Sequence, residues 1–460
     1  MKTQNKILIA NRGEIAVRII RACKELGILT VAIYSKADEN SLHVKLADEA
    51  VCIGGNLSKD SYLNMSRVLS AAIATGCNAI HPGYGFLSEN PKFVSMVEEC
   101  QIRFIGPKAS VIEKLGDKAT ARKIAISASI PVVEGSEGII ENAKEGLKIA
   151  KKIGYPVMIK ASSGGGGKGI SIVYSDQDFL SVFEKTQLEA MANFGDNQLY
   201  IEKFISNPRH IEIQILADHH GNTIHLFERD CSMQRRNQKM IEEAPSSFIN
   251  DSLRKKMGQA AVKLAKTVGY TNAGTVEFLV DKEGKFYFIE MNTRIQVEHP
   301  VTEMITGVDL IKEQIKIAYD KKITLKQKDL TILGHAIECR INAENPFKNF
   351  MPTPGRIKRI LLPGGLGVRI DGFIYPDYDV LPFYDSMLSK LIVFGKTRKE
   401  AIRKMRVALE QFVIEGIDTN IEYQYMIMHH PEFIKGSYDT GFIARFHSVM
   451  MEEYHEEFIK

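Results

Sequence analysis

No stretch of this chain is apolar for the roughly 20 residues that a membrane-spanning helix needs. Nor does Met1-Lys2-Thr3-Gln4-Asn5 open a leader; it runs directly into an apolar, strand-like segment. The sequence therefore predicts a cytoplasmic protein with no membrane partner. The six cysteines (Cys23, Cys52, Cys77, Cys100, Cys231 and Cys339) form no C-x-x-C pair and no metal-ligand spacing. Scattered thiols of a reducing compartment are expected instead. Neither sign of charge is in surplus. Lys and Arg number 60 against 56 Asp and Glu, a net +4, which predicts no nucleic-acid or other polyanionic partner. The basic runs Arg254-Lys255-Lys256 and Arg235-Arg236 are short enough for a solvated face. A G-x-G-x-x-G fingerprint is missing, so NAD is not inferred. There is also no P-loop, no internal repeat and no low-complexity tract.

What is present suits a multidomain α/β chain. At 460 residues, about three domains of roughly 150 each are expected. Lys6 to Ala10 reads as a buried strand and Asn11 to Glu14 as a turn. Ile15, Ile19, Ile20, Cys23 and Leu26 then recur at helical spacing before the helix stop Gly27. Leu29 to Tyr34 is a second strand, and this βαβ opening suggests a doubly wound sheet. The first domain is placed at residues 1–116 and the second at 117–328, with a glycine-rich lid at about 132–203. The third is placed at 331–446, with strand-like pieces at 356–361, 368–370 and 388–394 and an amphipathic helix at 398–412.

The most informative segment is Glu290-Met291-Asn292-Thr293-Arg294-Ile295-Gln296-Val297-Glu298. Its even positions are all polar, and its odd positions are apolar except Thr293. If the run is extended, one face carries two carboxylates, a guanidinium and two amides. A solvated strand would show the same alternation. Upstream, Gly274 to Val280 and Lys285 to Glu290 flank the polar turn Asp281-Lys282-Glu283-Gly284, a hairpin signal. If Val280 pairs with Lys285, Glu277 lies opposite Phe288 with Glu290 its diagonal neighbour. Glu277, Glu290 and Asn292 would then offer hard oxygen ligands suited to magnesium. A slip of one residue would turn Glu277 to the other face.

Other segments carry weaker signals. Tyr155 to Lys160 is an apolar strand ending in a lysine, followed by Ser162-Ser163-Gly164-Gly165-Gly166-Gly167-Lys168-Gly169 and the strand-like Ile170 to Val173. Glycines let backbone amides cradle phosphate oxygens; a flexible linker would be blander, but linkers rarely sit between two short apolar strands, so a phosphate lid is expected. Leu199 to Ile205 is an apolar run interrupted by Glu202 and Lys203, which a surface ion pair would also explain. Cys231 to Lys239 is dense in donors suited to anions, or is an exposed basic loop. His81 to Phe86 is a Gly/Pro loop. Near Arg340, Glu338 offers a local ion-pair partner.

Taken together and in this order, these segments resemble the ATP-grasp superfamily, and within it the biotin carboxylase family. The matching words are Ala10-Asn11-Arg12-Gly13-Glu14-Ile15-Ala16, the run from His81 to Asn90, and Lys160 with its glycine loop. They continue with Glu228 to Arg236, Glu242-Glu243-Ala244-Pro245, Phe288 to Gly307, Glu338 to Glu344, and Tyr384-Asp385-Ser386-Met387. The resemblance spans essentially the whole chain, and the unbroken match from Glu290 through Glu303 is its most specific part.

The resemblance implies an α/β ATP-grasp fold with a Rossmann-like N-terminal domain and a C-terminal biotin carboxylase domain. It implies carboxylation of carrier-borne biotin by bicarbonate through carboxyphosphate, driven by ATP with Mg2+ or Mn2+. Lys118, Lys160 and Gly164 to Gly169, with Lys168, are expected at the ATP phosphates. Glu202 and Lys203 are expected at the adenine hinge, with His210 and Gln234 lining the nucleotide site. Glu277, Glu290 and Asn292 would hold metal. Lys239, Arg294, Gln296 and Val297 would surround bicarbonate, with Glu298 as its base. Arg340 would stabilise charge on the biotin ureido oxygen, and Tyr84 would lie near the biotin ring. A homodimer is implied as well.

The sequence departs from the family pattern twice. Asn237 stands where bacterial relatives have a histidine, and it cannot titrate near neutrality. Ser163 precedes four glycines where some relatives have five. No Ala-Met-Lys-Met biotinylation sequence occurs, so a separate biotin carboxyl carrier protein and separate carboxyltransferase subunits are expected. Acetyl-CoA carboxylase, and with it fatty acid biosynthesis, is the expected context; a pyruvate or propionyl-CoA carboxylase is the alternative. Two rivals differ in kind. Another ATP-grasp ligase would share the lid and hairpin but not need Arg294, Gln296 and Glu298 together with Arg340. A silent nucleotide-binding scaffold would have lost metal ligands or base.

Overall fold

The computed structural model describes residues 5–136, 138–140, 142–162 and 169–458. The expected doubly wound sheet forms at the N-terminus. Strands β1 (Lys6–Ile9), β2 (Leu29–Ser35), β3 (Glu49–Gly54), β4 (Ala79–His81) and β5 (Arg103–Phe104) run parallel in the order β3-β2-β1-β4-β5. Ile7, Leu8 and Ile9 have no exposure, as a strand covered on both faces requires. Helix α1 (Gly13–Glu25) buries Ile15, Ile19, Ile20 and Cys23 and ends before Gly27, which takes a φ of +70°.

The strand order reverses between β1 and β4, where open α/β sheets leave a crevice at the carboxyl ends of the strands. The loops after these two strands are tied together there. Asn11 Nδ2 donates to the carbonyls of Pro82 and Tyr84, both at 2.7 Å. Gly83 makes this possible: its φ is +62°, and a Cβ would sit 3.0 Å from both Asn11 Nδ2 and Ile15 Cγ1.

The lid region forms a three-stranded antiparallel sheet of β6 (Val157–Ala161), β7 (Ile170–Val173) and β8 (Leu199–Lys203), in the order β7-β6-β8. Helices Ala143–Ile153 and Asp176–Phe194 bury Ala150, Phe179, Phe183 and Ala190 against it. Ser163, Gly164, Gly165, Gly166, Gly167 and Lys168 lie outside the described residues.

The centre is an eight-stranded antiparallel sheet. It contains β9 (Arg209–Ala217), β10 (Thr223–Arg235), β11 (Gln238–Ala244), β12 (Asn272–Val280), β13 (Phe286–Asn292) and β14 (His335–Asn342). Their order is β13-β12-β9-β10-β11-β14, continued by strands Met387–Gly395 and Val368–Gly372. Ile211, Ile213 and Ile215 on β9 join Val276, Phe278 and Val280 in one apolar core. The intervening His210, Glu212 and Gln214 face the other way, as a period of two demands. Helix Arg398–Gln411 packs Ile402, Met405 and Leu409 on the far end of the sheet. Among the described residues no helix is long and apolar enough to cross a membrane.

Candidate active site

The β12–β13 hairpin differs in register from expectation. Val280 pairs with Phe286, not Lys285. Asp281 explains the longer turn: its Oδ1 accepts from the backbone N–H groups of Glu283 (3.0 Å) and Lys285 (2.9 Å). That one-residue slip alone would have turned Glu277 away. A bulge between Glu277 and Phe278 restores the face, so Glu277 lies directly opposite Glu290 rather than Phe288. On its other side Glu277 pairs with Glu212 of β9. Glu212, Glu277 and Glu290 thus stand in a row across three strands.

Like charges in such a row repel, and the structure supplies cations between them. Lys239 Nζ donates to Glu212 Oε2 (2.6 Å), Glu277 Oε1 (3.0 Å) and Glu298 Oε1 (2.6 Å). Burial works against its ammonium, but these three carboxylates hold it well above the usual lysine range. Arg229, with no exposure, bonds Glu212, Gln214 (2.7 Å), Thr302 (3.0 Å), Thr275 (3.1 Å) and Gln296 (2.9 Å). Every guanidinium nitrogen of this buried arginine is spent, which fixes the loop that follows β13.

That loop corrects a second expectation. The strand ends at Asn292, so Arg294, Gln296 and Glu298 do not share a strand face. Their placement comes from loop contacts. Arg294 Nε donates to Glu89 Oε2 (2.8 Å), and its terminal nitrogen to Asn292 Oδ1 (2.9 Å). Gln296 Nε2 donates to Glu277 Oε1 (2.8 Å). Glu298 stands just before the helix His299–Thr306 without capping it through its side chain, and is 1% exposed. The carbonyl of Val297 accepts from Lys390 Nζ at 2.8 Å.

Arg340 reaches this loop from β14. Its Nε donates to Glu242 Oε1 (2.7 Å) and a terminal nitrogen to Glu298 Oε2 (3.0 Å). The expected partner Glu338 is not the one it takes; both Glu338 carboxylate oxygens are buried without a hydrogen bond. Burial raises the Glu298 carboxyl, but Lys239, Arg340 and Arg229 outweigh it and hold it below the usual carboxylate range. The Glu242 carboxyl is pushed up to about 7, by burial first and against Arg340, with Glu298 adding to the rise.

On the nucleotide side expected from the sequence, Lys160 Nζ lies 2.5 Å from Glu202 Oε2, and Lys203 Nζ donates to the carbonyls of Gly154 (2.8 Å) and Tyr155 (3.0 Å). His210 Nε2 lies 3.0 Å from Glu277 Oε2, and Gln234 Nε2 donates to the Cys231 carbonyl at 2.8 Å. Asn237 follows Arg236 in a two-residue turn joining Arg235 to Gln238, with φ values of +50° and +64°. Asn is favoured in that left-handed position, which gives the departure at Asn237 a backbone reason. Tyr84 hydrogen-bonds Glu14, which also receives Lys390 Nζ at 3.0 Å.

All these residues line one cleft of about 1210 Å3: Lys118, Lys160, Glu202, Lys203, His210, Gln234, Lys239, Glu277, Glu290, Asn292, Arg294, Gln296, Val297, Glu298, Arg340 and Tyr84. The metal test turns on Glu290. Burial, then the facing Glu277, pushes its carboxyl up, and Lys118 Nζ stands 3.9 Å away. A divalent cation between Glu277 and Glu290 would relieve that repulsion, so the donors fit one. His210, Glu212 and Glu277 also converge within 4.8 Å, but the Lys239 ammonium already bonds two of the three.

Sequence reasoning gave no role to Glu212, Arg229, Glu89, Glu242, Glu14 or Lys390. For Glu212 the signal was available: His210, Glu212 and Gln214 alternate with isoleucines, as in the hairpin. Glu14, Glu89, Arg229 and Glu242 lie within the family words. Lys390 carried no local signal, since an isolated lysine in an apolar strand gives no hint of distant partners.

Comparison with known proteins agrees along the whole chain. Residues 3–112 match the biotin carboxylase N-terminal domain, 117–326 the carbamoyl-phosphate synthase L chain ATP-binding domain, and 338–445 the biotin carboxylase C-terminal domain. Biotin carboxylase 1 of Bacillus subtilis is 58% identical, covering 96% of this chain and 98% of that protein. A pyruvate carboxylase subunit of Methanothermobacter thermautotrophicus is 53% identical, covering 96% and 90%. A Campylobacter jejuni biotin carboxylase structure superposes with a TM-score of 0.93 at 46% identity, covering 96% of this chain and 98% of that one. The biotin carboxylase domain dimer of Hydrogenobacter thermophilus 2-oxoglutarate carboxylase, with MgADP and bicarbonate, gives 0.93 at 49%, covering 98% and 99%. The chain belongs to the biotin carboxylase family of ATP-dependent ligases.

Proposed function

We propose that this enzyme carboxylates carrier-borne biotin with bicarbonate, converting ATP to ADP and phosphate through carboxyphosphate. The observation that supports this most is the bridge Lys239–Glu298–Arg340 beside the Glu277–Glu290 pair, in one cleft with Lys160 and Tyr84. We assign three units, 1–116, 117–328 with its lid at about 132–203, and 331–446.

Lys118, Lys160 and Gly164 to Gly169 hold the ATP phosphates in this reading, with Glu202 and Lys203 at the adenine and His210 and Gln234 along the nucleotide. Glu277, Glu290 and Asn292 would hold Mg2+ or Mn2+, which would supply charge neutralisation to the phosphoryl oxygens. Arg294, Gln296, Val297 and Lys239 position bicarbonate, and Glu298 takes its proton. Carboxyphosphate forms as the bicarbonate oxygen attacks the γ-phosphorus and the bond to ADP breaks; its C–O bond to phosphate then breaks, the released phosphate takes the biotin N1 proton, and N1 takes the carboxyl.

A carboxylate held low by Lys239, Arg340 and Arg229 is a weak base. Its basicity rises once Lys239 turns to bicarbonate and Arg340 to the ureido oxygen of bound biotin, which becomes an oxyanion only in the later transfer step. Glu298 therefore acts as base only with both substrates in place, which protects carboxyphosphate from being made idly and lost to water.

The carrier is proposed to be a separate biotinylated protein working with carboxyltransferase subunits, and the chain a cytoplasmic homodimer, as the Hydrogenobacter domain is a dimer. Acetyl-CoA is proposed as final acceptor, with pyruvate and propionyl-CoA as the alternatives: a pyruvate carboxylase subunit is 53% identical and a propionyl-CoA carboxylase chain of Ruegeria pomeroyi 49%. ADP release measured with biotin and bicarbonate omitted in turn tests the activity. Dependence on both is expected. Turnover on some other carboxylic acid would indicate a different ATP-grasp ligase, and no turnover a scaffold. Identifying the biotinylated protein that co-purifies, and which acyl acceptor it carboxylates, tests the acceptor.

A further inference from the structure

Several family words have no role in the chemistry above, among them Asn11-Arg12-Gly13, Gly85-Phe86 and Tyr384-Asp385-Ser386-Met387. The fold brings them to one wall of the cleft, together with Phe383. Arg12 leaves the loop after β1, Phe86 the loop after β4, and Phe383 and Tyr384 the loop entering strand Met387–Gly395. The Arg12 guanidinium carbon lies over the Tyr384 ring, 4.0 Å from its centroid, and 5.6 Å from that of Phe373. Tyr62 stacks on Phe86 at 5.0 Å and meets Tyr384 edge-on at 5.8 Å.

The cation in this wall is already paired, and the Asp385 carboxylate at its edge accepts from the Met387 N–H at 2.9 Å. Arg12 Nε and a terminal nitrogen are committed to the fully buried Asp38 at 2.7 and 2.8 Å. The Tyr384 hydroxyl donates to the Asn56 carbonyl at 2.6 Å. Phe86 has a φ of +45°, a left-handed conformation that a bulky residue adopts only when its surroundings impose it. The strain presents its ring to the cleft, half-buried. A phosphate or bicarbonate finds little cationic charge here that is not already paired. A neutral aliphatic chain finds aromatic rings and the Met387 thioether. The cleft, at about 1210 Å3, exceeds the roughly 300–1,000 Å3 that serves one drug-sized ligand.

The geometry points to the Arg12–Phe86–Phe383–Tyr384 wall as the subsite for the aliphatic lysine arm through which carried biotin is joined to its carrier, methylenes that free biotin lacks. This rests on the biotin carboxylase reading and extends it. Tyr84 and Arg340, at the same cleft, take the ring end; the wall takes the methylenes leading out to the carrier. Recognition of the tether makes the enzyme favour lysine-linked biotin over the free vitamin.

The test compares kcat/KM for ε-N-biotinyl-lysine with that for free biotin, in the full-length chain and in Phe383→Ala and Phe86→Ala. Phe383 is 37% exposed, so its removal does not threaten folding; Phe86 packs on Tyr62, so its variant is first checked by thermal melting. The unaltered chain is expected to prefer the lysine-linked compound, and the ratio to fall roughly tenfold on losing either ring, the worth of two buried methylenes. A fall in that ratio supports the subsite. An unchanged ratio in both variants, whether activity is full or uniformly reduced, overturns it. A wild-type chain inactive on both compounds would instead overturn the carboxylase reading.

Discussion

Glu298→Gln removes a charge while keeping the shape of a side chain that is 1% exposed. The surroundings limit the structural damage. Lys239 keeps Glu212 and Glu277, and Arg340 keeps Glu242. One charge-assisted hydrogen bond is lost, costing about 1.5–3 kcal/mol of stability. The catalytic loss is larger. A positioned base contributes about 10^2–10^4-fold, which at 1.36 kcal/mol per tenfold is roughly 3–5 kcal/mol on the barrier. Bicarbonate-dependent ADP release should therefore fall at least a hundredfold while ATP affinity stays nearly constant. The assay is coupled ADP detection at saturating ATP across a pH series, with nucleotide affinity by calorimetry. Turnover unchanged at every pH would remove Glu298 from the proton transfer. A parallel loss of ATP affinity would recast it as a structural partner of Lys239.

Glu290→Gln should raise the magnesium concentration needed for half-maximal activity and slow ADP formation, because it breaks the carboxylate pair with Glu277; an unaltered magnesium titration and rate would reject that metal site. Arg340→Ala leaves Glu242 buried and unpaired, which should cost about 3–5 kcal/mol of stability and lower biotin carboxylation further than nucleotide binding; full carboxylation with a lowered melting temperature would make Arg340 a structural ion pair. Glu242 gives a pH prediction: with its carboxyl raised from 4.5 to about 7, the folded chain holds a proton there that the unfolded chain has released. That contribution to stability is complete below about pH 4.5 and lost as pH rises through 7. Glu242→Gln should flatten this part of the melting-temperature profile, and an identical slope in both proteins would show that another group titrates.

Much of the site was legible because period-two alternation and turn chemistry are local. The doubly wound opening, the β12–β13 hairpin and the polar face of Glu277, Glu290 and Asn292 all follow from nearest neighbours. The register did not. A bulge at Glu277 costs one unpaired residue and leaves no mark in composition, and the Asp281 side chain lengthened the turn through bonds to backbone. Extending the strand through Glu298 failed for a related reason. The alternation beyond Asn292 persists, but Arg229 bonds Gln296 from 67 residues away along the chain and Glu89 bonds Thr293 from 204, and together they pull the segment into a loop. Glu338 looked like the partner of Arg340 because it is close in sequence, whereas Glu242 wins from the adjacent strand.

The most direct measurement supplies bicarbonate labelled with 18O and follows the label into phosphate during biotin carboxylation. If a bicarbonate oxygen attacks the γ-phosphorus to form carboxyphosphate, each phosphate released carries one labelled oxygen. Phosphate with no label from bicarbonate, formed at the same rate as carboxybiotin, would contradict the proposed route.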